Sequence, residues 1–321
     1  MKKNALKLSA LLFSVLLALP LLAGCSTGSP EETNEKLPVV VTIYPIYDWV
    51  REIAGDRVSL TVLLDSGVDL HSYQPTAADI VTITTSDLFI YVGGNSDGWV
   101  DDVMKNSGSE KTDSLDLIKT LGDLAKEEKV VEGMEAEEED EEEGGIEYDE
   151  HVWLSLKNAA VLCRAIADGL SKVDPDGKDV YGKNADSYIE KLNALDKEYE
   201  KAVEGAARKT VLFGDRFPFM YLCDDYGIDY YAAFVGCSAE SEASFKTIAF
   251  LASKVDDLSL PAILQIETAD GSLASAVREA TAAKDQKILT LDSMQSAVPG
   301  ADKTYLEVMT KNLEILKEAL N

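Results

Sequence analysis

Histidine is scarce in this chain, with only His71 and His151 among 321 residues. Cysteine is limited to four, and none stands in a C-x-x-C spacing, so a thiolate zinc cluster of the structural kind is unsupported. Cys163 falls within a helical pattern and reads as a small buried hydrophobe. Cys223 and Cys237 could pair outside the cell, although the odd count of three after Cys25 argues against a disulfide framework. Basic residues are also short, 30 against 58 acidic ones, for a formal charge of −28. Such a surface repels nucleic acid and anionic lipid and favours cations. H-E-x-x-H, G-x-S-x-G and P-loop signatures are all missing, and with them the commonest motif evidence for hydrolysis or nucleotide binding. Beyond the N-terminal segment no stretch approaches about 18 consecutive apolar residues, so nothing else there should span a bilayer.

What is present begins with export. Met1, Lys2 and Lys3 precede an apolar run and then "LLAGCSTGSP", the pattern of a secretory signal over residues 1–24. Leu22-Ala23-Gly24-Cys25 resembles the bacterial lipobox, in which the cysteine is lipidated and becomes the mature N-terminus. The alternative is a signal cleaved without lipidation. On the lipobox reading the mature protein is exported and held to the outer face of the cell membrane through Cys25, with residues 25–37 as a polar tether. Removal of Lys2, Lys3 and Lys7 makes it more negative still.

From Pro38 onward β-branched runs alternate with amphipathic ones. "VVVTIY", "RVSLTVLL" and "DLFIYVGG" read as strands, separated by helices such as "IYDWVREIAG" and "TAADIVTITT". The same alternation returns after residue 208. This order predicts an α/β protein with two Rossmann-like lobes of mostly parallel sheet, residues 38–174 and 208–321. Between them, Tyr181, Ala185, Tyr188, Leu192, Leu195, Tyr199 and Ala202 form one stripe along a helix of about 30 residues, about 45 Å long at 1.5 Å per residue. We read residues 175–207 as a backbone helix joining the lobes; a two-stranded coiled coil is the alternative, and tyrosines in its seam suit it poorly. Residues 132–150, "EGMEAEEEDEEEGGIEYDE", are too dense in like charge to fold on themselves and read as a mobile acidic loop, either solubilising or a weak collector of cations.

His71 follows a strand, in "LLDSGVDLHSYQPTAADI", and His151 opens a helical segment, in "YDEHVWLSLKNA". These motifs, with the export signal, the charged loop, the long helix and "ILTLDSM", resemble in order the metal-binding solute receptors of bacterial zinc and manganese ABC importers. The resemblance covers Val39 to the C-terminus. It implies two α/β lobes with a metal cleft between them, His71 and His151 as ligands, and Asp292 as a carboxylate ligand from the C-terminal lobe. It places Arg216 where a third histidine or a glutamate would stand, and arginine has no lone pair to give. Asp215, Glu240, Glu242, Glu267 or water are the substitutes, with Asp215 adjacent. Asp69, Asp149 and Glu150 are close enough in sequence to support the ligand histidines.

Two imidazoles and one or two carboxylates suit Zn²⁺, with Mn²⁺ next, since zinc stands well above manganese in the general affinity order. The expected partners are a cognate ABC permease and its ATPase, the protein itself being a monomer that binds no nucleic acid and catalyses nothing. A metal-dependent hydrolase is the rival reading, because two histidines and a carboxylate with an open position also describe catalytic zinc. An adhesin or structural lipoprotein is a third.

Overall fold

Eight short strands pair into two four-stranded sheets among the described residues. The computed structural model describes residues 36–64, 68–106, 111–135, 147–238, 242–296 and 303–321. The signal, Cys25, most of the tether, Glu240 and the centre of the acidic stretch lie outside them.

The first sheet holds β1 (Leu37–Val41), β2 (Val58–Val62), β3 (Leu88–Tyr91) and β4 (Asp113–Asp116), in the order β2-β1-β3-β4. The second holds β5 (Thr210–Phe217), β6 (Asp229–Val235), β7 (Ala262–Ile266) and β8 (Lys287–Leu291), in the order β6-β5-β7-β8. Every pairing is parallel, and the two sheets repeat one topology. Each therefore has a switch point, between β1 and β3 and between β5 and β7, where the chain turns to opposite sides and opens a crevice.

Helices cover the sheets. α1 (Tyr44–Ala54) begins earlier than the strand pattern suggested, because Pro45 sits in its first turn, where a missing N–H costs nothing. It stops at Gly55, whose φ of 56° suits glycine. α2 (Ala77–Thr84) starts on a capping box in which Thr76 and Asp79 each bond the other's backbone N–H. α3 (Trp99–Asn106) and α4 (Leu117–Leu121) follow. α5 (Leu156–Val173) is capped by Ser155, so the helix opens five residues after His151 rather than on it. α7 (Met220–Tyr226), α8 (Phe245–Asp257), α9 (Ser272–Ala280) and α10 (Tyr305–Ala319) belong to the second lobe.

The connector is α6 (Lys178–Glu204), 27 residues and about 40 Å long. Its buried face is Tyr181, Ala185, Tyr188, Leu192, Leu195, Tyr199 and Val203, the predicted stripe except that Val203 replaces Ala202 at the end. Near its start Asn184 donates to the Ile53 carbonyl of the first lobe at 2.9 Å. Near its end the Tyr199 hydroxyl donates to the Met309 carbonyl of the second at 2.6 Å. One apolar cluster accordingly runs from β1 through α6 into α10. A second cluster, including Leu212, Phe234, Leu251 and Val277, lies within the second lobe.

Hydrogen bonds with at least one buried partner also join the lobes directly. Trp153 Nε1 donates to the Ser293 carbonyl at 2.8 Å, and the Tyr305 hydroxyl to the Trp153 carbonyl at 2.6 Å. The ends of the acidic stretch are fixed, contrary to the expectation of a mobile loop across 132–150. Met134 is buried, Glu135 N–H donates to the Ala233 carbonyl at 2.8 Å beside β6, and Tyr148 bridges Glu127. A single apolar side chain and an unpaired strand edge outweigh the local charge there. Cys163, Cys223 and Cys237 are all free thiols. Among the described residues no helix is long and apolar enough to cross a membrane.

Candidate metal centre

His71 stands in a short 3₁₀ turn, Leu70–Ser72, beyond the carboxyl end of β2. Asp69 caps that turn by accepting the His71 N–H at 3.1 Å, and the buried Leu70 anchors it. His151 is fully buried just before a second such turn, Val152–Leu154, whose three side chains are all in the core. Both rings have their Nδ1 atoms engaged. His71 Nδ1 lies 2.9 Å from Ser96 Oγ and 3.3 Å from Glu150 Oε2, and His151 Nδ1 lies 3.0 Å from Asp149 Oδ1. Burial alone would raise the Glu150 carboxyl, but His71 and Ser96 draw it below its ordinary value, so it stays ionised.

A carboxylate on Nδ1 favours the tautomer that leaves Nε2 with its lone pair. The two Nε2 atoms converge to 3.2 Å. Two nitrogens about 2.0–2.1 Å from one tetrahedral zinc ion sit about 3.3 Å apart, so the pair is already spaced for a shared cation.

The second lobe closes the group. Cys237 follows β6, and its Sγ lies with one ring nitrogen of each histidine in a set whose members are all within 4.8 Å of one another. Burial, then the charges of Asp149, Glu128 and Glu150, push its thiol up. Gly236 lets the chain pass this close: a Cβ there would come within 2.9 Å of both His151 Cε1 and the Phe217 carbonyl. Gln295 arrives from the turn after β8. Its Nε2 contacts His151 Nε2 and lies 3.4 Å from His71 Nε2, while its buried Oε1 has no partner among the described residues. Turning the amide over would aim that oxygen at the two nitrogens instead.

The remaining sequence candidates are placed elsewhere. Asp292 Oδ1 accepts the Met294 N–H at 3.0 Å and stabilises a turn in which Met294 has φ 59°. Asp292 therefore builds the support that delivers Gln295 and does not join the histidine group. Glu267 binds the N–H and hydroxyl of Ser293 in the same turn, at 2.7 and 2.9 Å. Asp215 is likewise outside the group: its carboxylate accepts the N–H of Arg216 at 2.8 Å and of Ile266 at 3.3 Å. Arg216 reaches across the cleft to Asp69 at 2.8 Å and holds the Ser238 carbonyl at 3.2 Å. A cavity of about 710 Å³ lined by Asp69, His71, Asp215, Arg216, Cys237 and Glu242 opens beside the group. The sequence reading missed Gln295 and Cys237. The one signal available was position, since each follows the carboxyl end of a strand.

Two parallel α/β lobes on one shared helix, with a histidine pair in the cleft, define a two-lobed solute-binding protein. Residues 39–319 match the family described as zinc-uptake complex component A, periplasmic, and the chain belongs to that family. It is 33% identical over 317 residues to the zinc-binding lipoprotein AdcA of Streptococcus pneumoniae serotype 4, covering 98% of this chain and 61% of that protein. The chain thus spans 61% of the length of that relative. It is 30% identical over 317 residues to the high-affinity zinc uptake system protein ZnuA of Bacillus subtilis, covering 96% of this chain and 97% of that one. Among solved structures it is similar to the Zn(II)-bound ZnuA-like domain of S. pneumoniae AdcA, with a TM-score of 0.70 and 30% identity over 89% of this chain and 99% of that one.

Proposed function

We propose that this protein is the extracytoplasmic receptor of an ABC importer, capturing zinc in the cleft and delivering it to the permease and ATPase. The observation that carries this reading is the 3.2 Å approach of the two Nε2 atoms, each ring backed by a carboxylate on its far nitrogen. His71 and His151 are the ligands we assign, and the family and the Zn(II)-bound relative support zinc as the cargo. Manganese is the lesser alternative, since nitrogen donors favour zinc. A receptor role rather than catalysis is supported by where the nearby carboxylates point. Asp149 and Glu150 are engaged with the Nδ1 atoms, away from the face where a reacting water would need a base. Export and lipid attachment through Cys25 complete the proposal, on the strength of the N-terminal signal and the lipoprotein relative.

The test is calorimetric titration of chelator-stripped protein with Zn²⁺ and Mn²⁺, in wild type, His71→Ala and His151→Ala. Each substitution should weaken zinc by more than the about 100-fold that outer-sphere changes reach. Equal, tight binding by His71→Ala would sink the site.

A further inference from the structure

Resting on the zinc-receptor reading, we infer that Cys237 is the third protein ligand, making the centre a two-histidine, one-thiolate site. Its Sγ and one ring nitrogen from each histidine already form one group within 4.8 Å, the only such group of three potential ligands among the described residues. Around a tetrahedral zinc ion, bonds of about 2.0–2.1 Å to nitrogen and about 2.3 Å to sulfur set N···S near 3.6 Å. The set therefore has to contract by little more than 1 Å at most.

The surroundings hold Cys237 in place. Its N–H donates to Glu128 Oε1 at 3.3 Å, the preceding Gly236 packs against the His151 ring, and the following Ser238 carbonyl is gripped by Arg216 at 3.2 Å. Arg216 cannot bind a metal itself, yet by holding Asp69 with the same guanidinium it pins the turn of Cys237 to the turn of His71. It is a positioning residue that sets the thiol against the imidazole from the opposite lobe. On binding, Zn²⁺ replaces the thiol proton, which passes to solvent, and the sulfur lone pair forms the Zn–S bond. A thiolate is a soft donor that suits zinc and disfavours manganese, so this one residue biases the cleft toward zinc.

Cobalt reports the ligand directly. The mature chain carrying Cys25→Ser is loaded with Co²⁺, with and without Cys237→Ser, and each protein is titrated with Zn²⁺ and Mn²⁺. The parent should show a thiolate-to-cobalt charge-transfer band in the near ultraviolet, absent from Cys237→Ser. That variant should bind zinc more weakly by more than the about 100-fold that the loss of a supporting residue reaches, and should discriminate less against manganese. Zinc binding without the band would overturn the thiolate ligand and leave the receptor reading standing. Failure of the parent to bind zinc at all would overturn both.

Discussion

At the scale of single residues, the centre depends on groups one step behind the ligands. Ser96 is held over His71 by a loop that Asp97 closes, accepting the Gly93 N–H at 3.0 Å. Asp97 is almost fully buried, with its other oxygen unpartnered among the described residues. Burial, and to a lesser degree the charge of Glu150, raise its carboxyl from 3.8 to about 7. The folded protein therefore holds a proton there that the unfolded chain releases above 3.8. That contribution to stability is complete below 3.8 and is lost as pH rises through about 7. Asp97→Asn should remove it. The difference in unfolding free energy between wild type and variant should change across that window by a few kcal/mol, at most about 4 at 1.36 per pH unit. Urea denaturation at a series of pH values checks this, and parallel profiles would refute it.

Elements show which local patterns are self-sufficient. The reciprocal bonds of Thr76 and Asp79, 3.2 and 2.8 Å, were readable as a helix start because a capping box needs only residues three apart. Thr76→Ala should cost about 1 kcal/mol in urea unfolding while leaving zinc affinity unchanged, and an unaltered midpoint would count against the cap. The stripe of α6 was likewise legible, since its period is a property of the helix alone. By contrast β4 and α4 left no clear pattern. "DSLD" is a half-exposed edge strand with acids at both ends, and it is a strand only because β3 lies beside it. The anchoring of Glu135 against β6 was hidden for the same reason.

For the whole molecule, the lobes share one core and buried interlobe hydrogen bonds, so they are braced against each other more firmly than two lobes on a bare hinge. Zinc bound in the cleft should act as a clamp between lobes that a shared core already braces. Ligand linkage gives about 2.7 kcal/mol of added stability at a free zinc concentration 100 times the dissociation constant. Scanning calorimetry should show that rise, its reversal by chelator, and no response in His71→Ala. A zinc-induced rise in the His71→Ala variant would contradict the cleft as the binding place.

By itself, the sequence determined the alternation of strands and helices, the long connector, the acidic surface and the two histidines beyond a strand and beside a helix. These are properties of short windows, or of residue types too rare to be incidental. Only the tertiary structure decided who stands with them. Residues 71, 151, 237 and 295 are brought together by the packing of two sheets on α6. Their final approach is set by Gly236, which leaves room beside His151, and by a turn at Met294 that Asp292 stabilises. Asp292, expected as a metal ligand, has its Oδ1 on an N–H two residues away, because a carboxylate binds whichever donors the fold brings within reach.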